Sequence, residues 1–168
     1  MIHNTHLSQW FPANTIAKTA GTWTPTLASN VASDVRSAAD ANFTLLAPIA
    51  LPGSANLRNG ARLKSVDVFY KVATAALDDF ATVELERVTL PAGQAAPSGA
   101  PQTVTLDSAH DTAAKRKAVG DHVMTVTLSA PVWLPGADAL YLALVVDAAA
   151  TSVFTLYGVR ANFDYRVD

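Results

Sequence analysis

Apolar and polar residues alternate with a period of two through most of the chain. The pattern is clearest near its end, where Val159, Ala161, Phe163, Tyr165 and Val167 share one parity and Arg160, Asn162, Asp164 and Arg166 the other. Successive side chains of a strand point to opposite faces, so this segment reads as a half-buried strand; wound as a helix, it would scatter its apolar groups around the axis. Val66, Val68, Tyr70 and Val72 alternate with Asp67, Phe69 and Lys71, and Phe69 predicts some apolar contact on the second face. Ala81, Val83 and Leu85 alternate with Thr82, Glu84 and Glu86, and Met124, Val126 and Leu128 with Thr125, Thr127 and Ser129. Residues 139–146 are apolar at both parities, which predicts a central strand covered on both faces, with a neighbouring subunit as one possible cover.

Gly, Pro, Ser and Asn cluster between these runs, at 51–54, 59–60, 91–101 and 134–136, and supply the backbone angles that turns require. The pattern predicts strands over about 21–27, 42–50, 62–72, 80–90, 101–107, 121–130, 139–147 and 152–167, hence an all-β, roughly eight-stranded antiparallel β-sandwich of jelly-roll type. Short Ala-rich pieces near 31–41 and 112–118 have room for no more than a helical turn. Residues 1–20 show no alternation and are expected to form an extended arm ahead of a single domain at 21–168. That arm holds Trp10 and Phe11, which are expected to dock either on the chain's own domain or at an interface with a neighbour. APIALPG at 47–53 matches APVWLPG at 130–136, each copy between two strand-like runs, as in a sandwich of two related halves or by chance in an Ala- and Pro-rich chain.

Composition sharpens this picture. In 168 residues, 50% are hydrophobic and only 15% charged, enough for one proper core and a surface poor in charge, which hints at subunit contacts. Fourteen acidic against twelve basic side chains, with Lys115, Arg116 and Lys117 as the sole basic cluster, argue against a nucleic-acid partner. Cysteine is absent, which removes disulfides, thiolate metal sites and thiol nucleophiles. The beginning of the chain does not read as a secretory signal, and the longest apolar run is far below the roughly 20 residues of a membrane helix. A soluble protein without an export signal of its own, and with no membrane partner, is expected.

Candidate chemistry is sparse. His3 and His6 would share a face only if the arm were helical, and no further metal ligand is near them. Asp107, Ser108, His110 and Asp111 supply the residue types of a hydrolytic triad but lie too close in sequence for the converging geometry, so a polar loop is expected. Asp78 and Asp79 suit a turn, and Glu84 and Glu86 a solvated strand face. Neither a phosphate-binding glycine motif nor a nucleophile-elbow or zinc-protease motif occurs. The expectation is a non-enzymatic protein without cofactor, metal or catalytic residues. Trp23 and Trp133 read as packing residues, with sugar stacking as the alternative role of an exposed ring.

With its LPG corner followed by RLKSVDVFYKV, and its terminal strand YGVRANFDYRV, the chain resembles virion structural proteins of tailed bacteriophages, both capsid decoration (cement) proteins and tail-fibre head modules. The resemblance implies a homotrimer in the virion, bound to the major capsid protein or another virion protein and stabilising the shell through subunit contacts. Trp10 and Phe11 would then meet the shell or an adjacent protomer. The alternative is a receptor- or carbohydrate-binding head whose contact loops, 91–101 and 108–120, present His110, Lys115, Arg116 and Lys117, with Trp133 as its stacking ring.

Overall fold

The computed structural model describes residues 3–50, 61–89, 91, 93, 96–131, 133–134 and 138–167; the side chains of residues 3–5, 133–134 and 165–167 lie outside the described set. Two antiparallel sheets face each other. Sheet A has the order β3 (Trp23–Ala28), β4 (Val31–Arg36), β13 (Val153–Val167), β6 (Ala61–Ala73), β10 (Gly120–Leu128), β9 (Val104–Leu106). β1 (His3–Pro12) shares with β4 the edge of β13 that β6 leaves open, and β11 (Trp133–Leu134) pairs with the start of β6. Sheet B has the order β2 (Ala17–Lys18), β5 (Ala41–Ile49), β12 (Asp138–Ala148), β7 (Asp79–Thr89), β8 (Ser98–Gln102). β4–β13–β6–β10 therefore face β5–β12–β7–β8, and the chain crosses between sheets at β1 to β2, β2 to β3, β4 to β5, β5 to β6, β6 to β7, β8 to β9, β11 to β12 and β12 to β13. That is a jelly-roll sandwich, as the alternation predicts.

The core is the sum of the inward parities. Val66, Val68, Tyr70 and Val72 of β6 and Phe154, Leu156, Val159, Ala161 and Phe163 of β13 meet Phe43 and Leu45 of β5 and Leu140, Leu142, Leu144 and Val146 of β12, all buried. Burying a side chain of this size stabilises the fold by about 1.5–3 kcal/mol relative to exposure, so these strands dominate its cohesion. Trp23 packs edge-on against Phe43 and Phe154, with ring centroids 5.4 and 6.3 Å away, in keeping with a packing role.

Several expectations need correction. Residues 3–12 are a strand of the sandwich rather than an arm ahead of it, docked on their own domain: β1 pairs with β13 from His3↔Val167 to Pro12↔Gly158, which turns Phe11 into the core at 8% exposure and leaves Trp10 outside. Segment 31–36 is strand β4 rather than a helical turn, whereas α1 (Ala113–Arg116) is the short turn expected near 112–118. In the proline-rich segment 91–101, Ser98–Gln102 is not loop but β8, hydrogen-bonded to β7. Residues 139–146 do lie on a central strand; within this chain its inner face is buried in the core, while Tyr141 and Val145 on its outer face are each 37% exposed. Both copies of the seven-residue match fall at crossings between the sheets, β5 to β6 and β10 to β12, at the same end of the sandwich; positions 51–53, 132 and 135–136 lie outside the described residues.

Candidate functional site

The outer face of sheet A carries an open cleft of about 700 Å³. One wall is the β3–β4 hairpin. Its tip, Ser29-Asn30, has both residues at positive φ (50° and 64°), the geometry of a two-residue hairpin turn whose twist matches the strands. The floor comes from outward parities of β6 and β13: Phe69, Lys71 and Ala73 beside Thr155 and Tyr157. The third side is Trp10 of β1, 47% exposed and edge-on to Phe69 at 5.3 Å.

Trp10 reaches this place because of a bulge. The β13 register slips between Leu156 and Gly158, and Gly158 has φ +149°, outside the range that L side chains usually occupy. A Cβ there would stand 2.5 Å from the Phe11 carbonyl and 2.6 Å from the Trp10 ring. The missing side chain of Gly158 is thus the space in which the indole lies.

A polar row continues from the aromatic floor along the same face. Asp67 accepts from Arg160 Nε (3.0 Å) and Nη2 (2.8 Å), from Asn162 Nδ2 (3.1 Å) and from Thr125 Oγ1 (2.8 Å). The Arg160 guanidinium also lies over the Phe69 ring at 5.3 Å. Asn162 accepts from Ser8 (2.7 Å) and donates to Ser65 (3.1 Å). At the far end, buried Asp164 meets Arg62 at 2.7 Å, His6 and Lys64. Burial alone would raise its carboxyl, but the bonds from Arg62 and His6 and the charge of Lys64 hold it below the usual carboxylate range. His6 therefore faces a carboxylate.

The charges of the cleft are internally paired. Lys71 lies 3.7 Å from Asp121 and Arg160 2.8 Å from Asp67, so neither carboxylate stands as an uncommitted acid or base. An exposed indole with the half-buried Phe69 and Tyr157 and fixed hydrogen-bonding groups beside it suits a ligand with apolar C–H faces and a rim of hydroxyls.

The other sequence-predicted contact residues do not converge here. His110 and Arg116 are buried, each 6% exposed, and Arg116 binds the Phe80, Ala81 and His110 carbonyls at 2.8, 3.1 and 2.9 Å. Arg116 holds the 108–120 loop to β7, and the burial of both side chains keeps them from forming its contact surface. Lys115 is exposed and bridges Asp111 and the Ser108 carbonyl, and Lys117 donates to the Asp78 carbonyl. The side chain of Trp133 lies outside the described residues. Asp107 and His110 do touch, at 2.9 Å, whereas the Ser108 carbonyl accepts from Lys115 instead. Asp40, Asp78 and Asp147 bring carboxylate oxygens within 4.8 Å of one another, largely at the surface, and are the described residues that come nearest to a cation cluster. Phe69, Tyr157, Asp67 and Arg160 were not singled out from sequence as site residues. The signal was present: each sits at the outward parity of its strand, where Phe69 and Tyr157 interrupt an otherwise polar series.

No protein-family model matches the sequence, and no curated protein matches it. Solved structures that the chain matches include one described as "CBM4 structure and function" (10% identity, TM-score 0.35, covering 85% of this chain and 89% of that one). Another is a low-affinity xylan binding module, CBM86, from Roseburia intestinalis (13%, 0.34, 95% and 96%). A third is the enzymatically active domain of tailspike protein 4 of bacteriophage CBA120 (14%, 0.37, 92% of this chain and 19% of that one). Similarity at this level leaves function to be argued from the residues of the cleft.

Proposed function

We propose that the protein is a non-catalytic carbohydrate-binding module that takes a neutral glycan in the cleft on the outer face of sheet A. The observation that carries this reading is the exposed Trp10, held against Phe69 beside Tyr157 and continued by the hydrogen-bonding row of Asp67, Arg160 and Asn162. Pyranose rings stack their C–H faces on aromatic rings while their hydroxyls bond to side chains held by their own partners. Because Lys71 and Arg160 are each matched by a carboxylate, the cleft offers no unbalanced charge to an acidic sugar. The resemblance to virion proteins would place such a module at the head of a tail fibre or baseplate. The same resemblance offers a capsid-decoration role with Trp10 and Phe11 as its contact pair, and burial of Phe11 removes that pair.

An array of neutral and acidic glycans tests the proposal. Binding is expected among the neutral ones, and Trp10→Ala or Tyr157→Ala should weaken it roughly tenfold, equivalent to about 1.4 kcal/mol, with thermal stability retained. Absence of binding to every neutral glycan, or full affinity in both variants, would overturn it.

A further inference from the structure

At one end of the sandwich, apart from the glycan cleft, two histidines from different segments meet. His110 lies in the loop after β9 and is almost fully buried; His122 lies on β10, its ring stacked on Tyr70 with centroids 4.6 Å apart and planes 8° from parallel. His110 Nδ1 is 2.9 and 3.0 Å from the two oxygens of Asp107, His122 Nε2 is 2.9 Å from the Ala118 carbonyl, and His110 Nε2 is 3.2 Å from His122 Nδ1.

The protons in this chain can be counted. A backbone carbonyl only accepts, so His122 Nε2 carries hydrogen. Asp107 also accepts. Burial would raise its carboxyl, but N–H bonds from Thr125 and Ala109 and the contact with His110 keep it below the usual range and ionised, so His110 Nδ1 carries hydrogen as well. Two neutral imidazoles supply those two protons and no more, which would leave two lone pairs facing each other across 3.2 Å. A third proton between the rings turns that repulsion into an N–H···N hydrogen bond and gives the pair one positive charge opposite the Asp107 carboxylate.

We propose that His110 and His122 hold a shared third proton and act as a pH-sensitive latch that ties the 107–120 segment to the end of sheet A. The other charged or titratable groups around the pair are Tyr70 and Arg116. The Tyr70 hydroxyl donates to the Arg116 carbonyl at 2.8 Å, and burial pushes its ionisation far above the ordinary range, so it stays neutral. The Arg116 guanidinium opposes added positive charge, but it is spent on carbonyls of β7 and of His110, with Asp79 and Asp111 nearby. Asp121, next to His122 in sequence, points to the opposite face and pairs with Lys71. Asp107 is thus the anion in direct contact with the pair.

A third proton bound through contacts that an unfolded chain lacks makes stability fall as rising pH removes it. Long-range proton–nitrogen NMR of EDTA-treated protein near pH 6.5 reads the ring nitrogens directly. Three protonated nitrogens across the pair are expected, and two would overturn the proposal. Thermal melts give a second reading. Between about pH 6 and pH 8.5 the wild type should lose on the order of 2–4 °C more than His122→Phe, which keeps the stack on Tyr70 and lacks the ring nitrogens. His6 beside Asp164 contributes equally to both proteins, so parallel profiles would contradict the latch; should H122F fail to fold, the nitrogen count alone decides.

Discussion

At the scale of single residues, Gly158 does the most to shape the cleft. Its φ of +149° forms the bulge in β13, and the absence of a Cβ leaves the volume that Trp10 fills. Alanine there adds strain at a positive φ and sets a methyl group 2.6 Å from the indole. Gly158→Ala is expected to cost about 1–3 kcal/mol in urea unfolding and to displace Trp10, seen as altered tryptophan fluorescence and weaker glycan binding together. A variant with wild-type stability and affinity would show that the indole has another support. Phe69 illustrates a second residue-scale point: on an otherwise polar parity it marks a face that something apolar touches, and Trp10 and the Arg160 guanidinium are what touch it.

At the scale of elements, β4 shows both how a strand can hide in sequence and what holds it. VASDVR has no apolar alternation, because Ser33, Asp34 and Arg36 occupy buried positions. Arg36 is fully buried; its guanidinium donates to the carbonyls of Ser37 (3.4 Å), Ala39 (3.1 Å) and Ala41 (3.3 Å) and lies 4.8 Å from the centre of the Phe43 ring. Asp34 is matched by Lys18 at 2.6 Å. Arg36→Met keeps most of the apolar bulk but strands those carbonyls, so we expect a loss of about 2–4 kcal/mol in urea unfolding; a loss under about 0.5 kcal/mol would mean that water serves them equally well. Strands that bury a clean apolar parity, such as β6, β10, β12 and β13, were readable from sequence alone. β4, whose inward side chains are polar but partnered across the fold, was not, and neither was β1, whose place depends on the open edge of β13. The aromatic platform was half visible for the same reason: Trp10 stood out by its type, but its alignment with Phe69 and Tyr157 depends on pairings between strands far apart in sequence.

For the molecule as a whole, the two sheets divide their labour. The inward faces supply cohesion, while the outward face of sheet A gathers three aromatic rings and a row of mutually bonded polar groups beside the β3–β4 hairpin. Sheet B presents Leu46, Tyr141 and Val145 outward, with Thr82 and Glu86 of β7 paired beside Val145 and Tyr141. If glycan recognition belongs to sheet A, contact should spread across β1, β6 and β13, strands that only the fold brings side by side. The most direct test is a backbone amide NMR titration with a neutral oligosaccharide chosen from the array. The account predicts shift changes centred on Trp10, Phe69, Thr155 and Tyr157 and on the Trp10 indole N–H. Changes confined to the 108–120 loop or to the outer face of sheet B would contradict it.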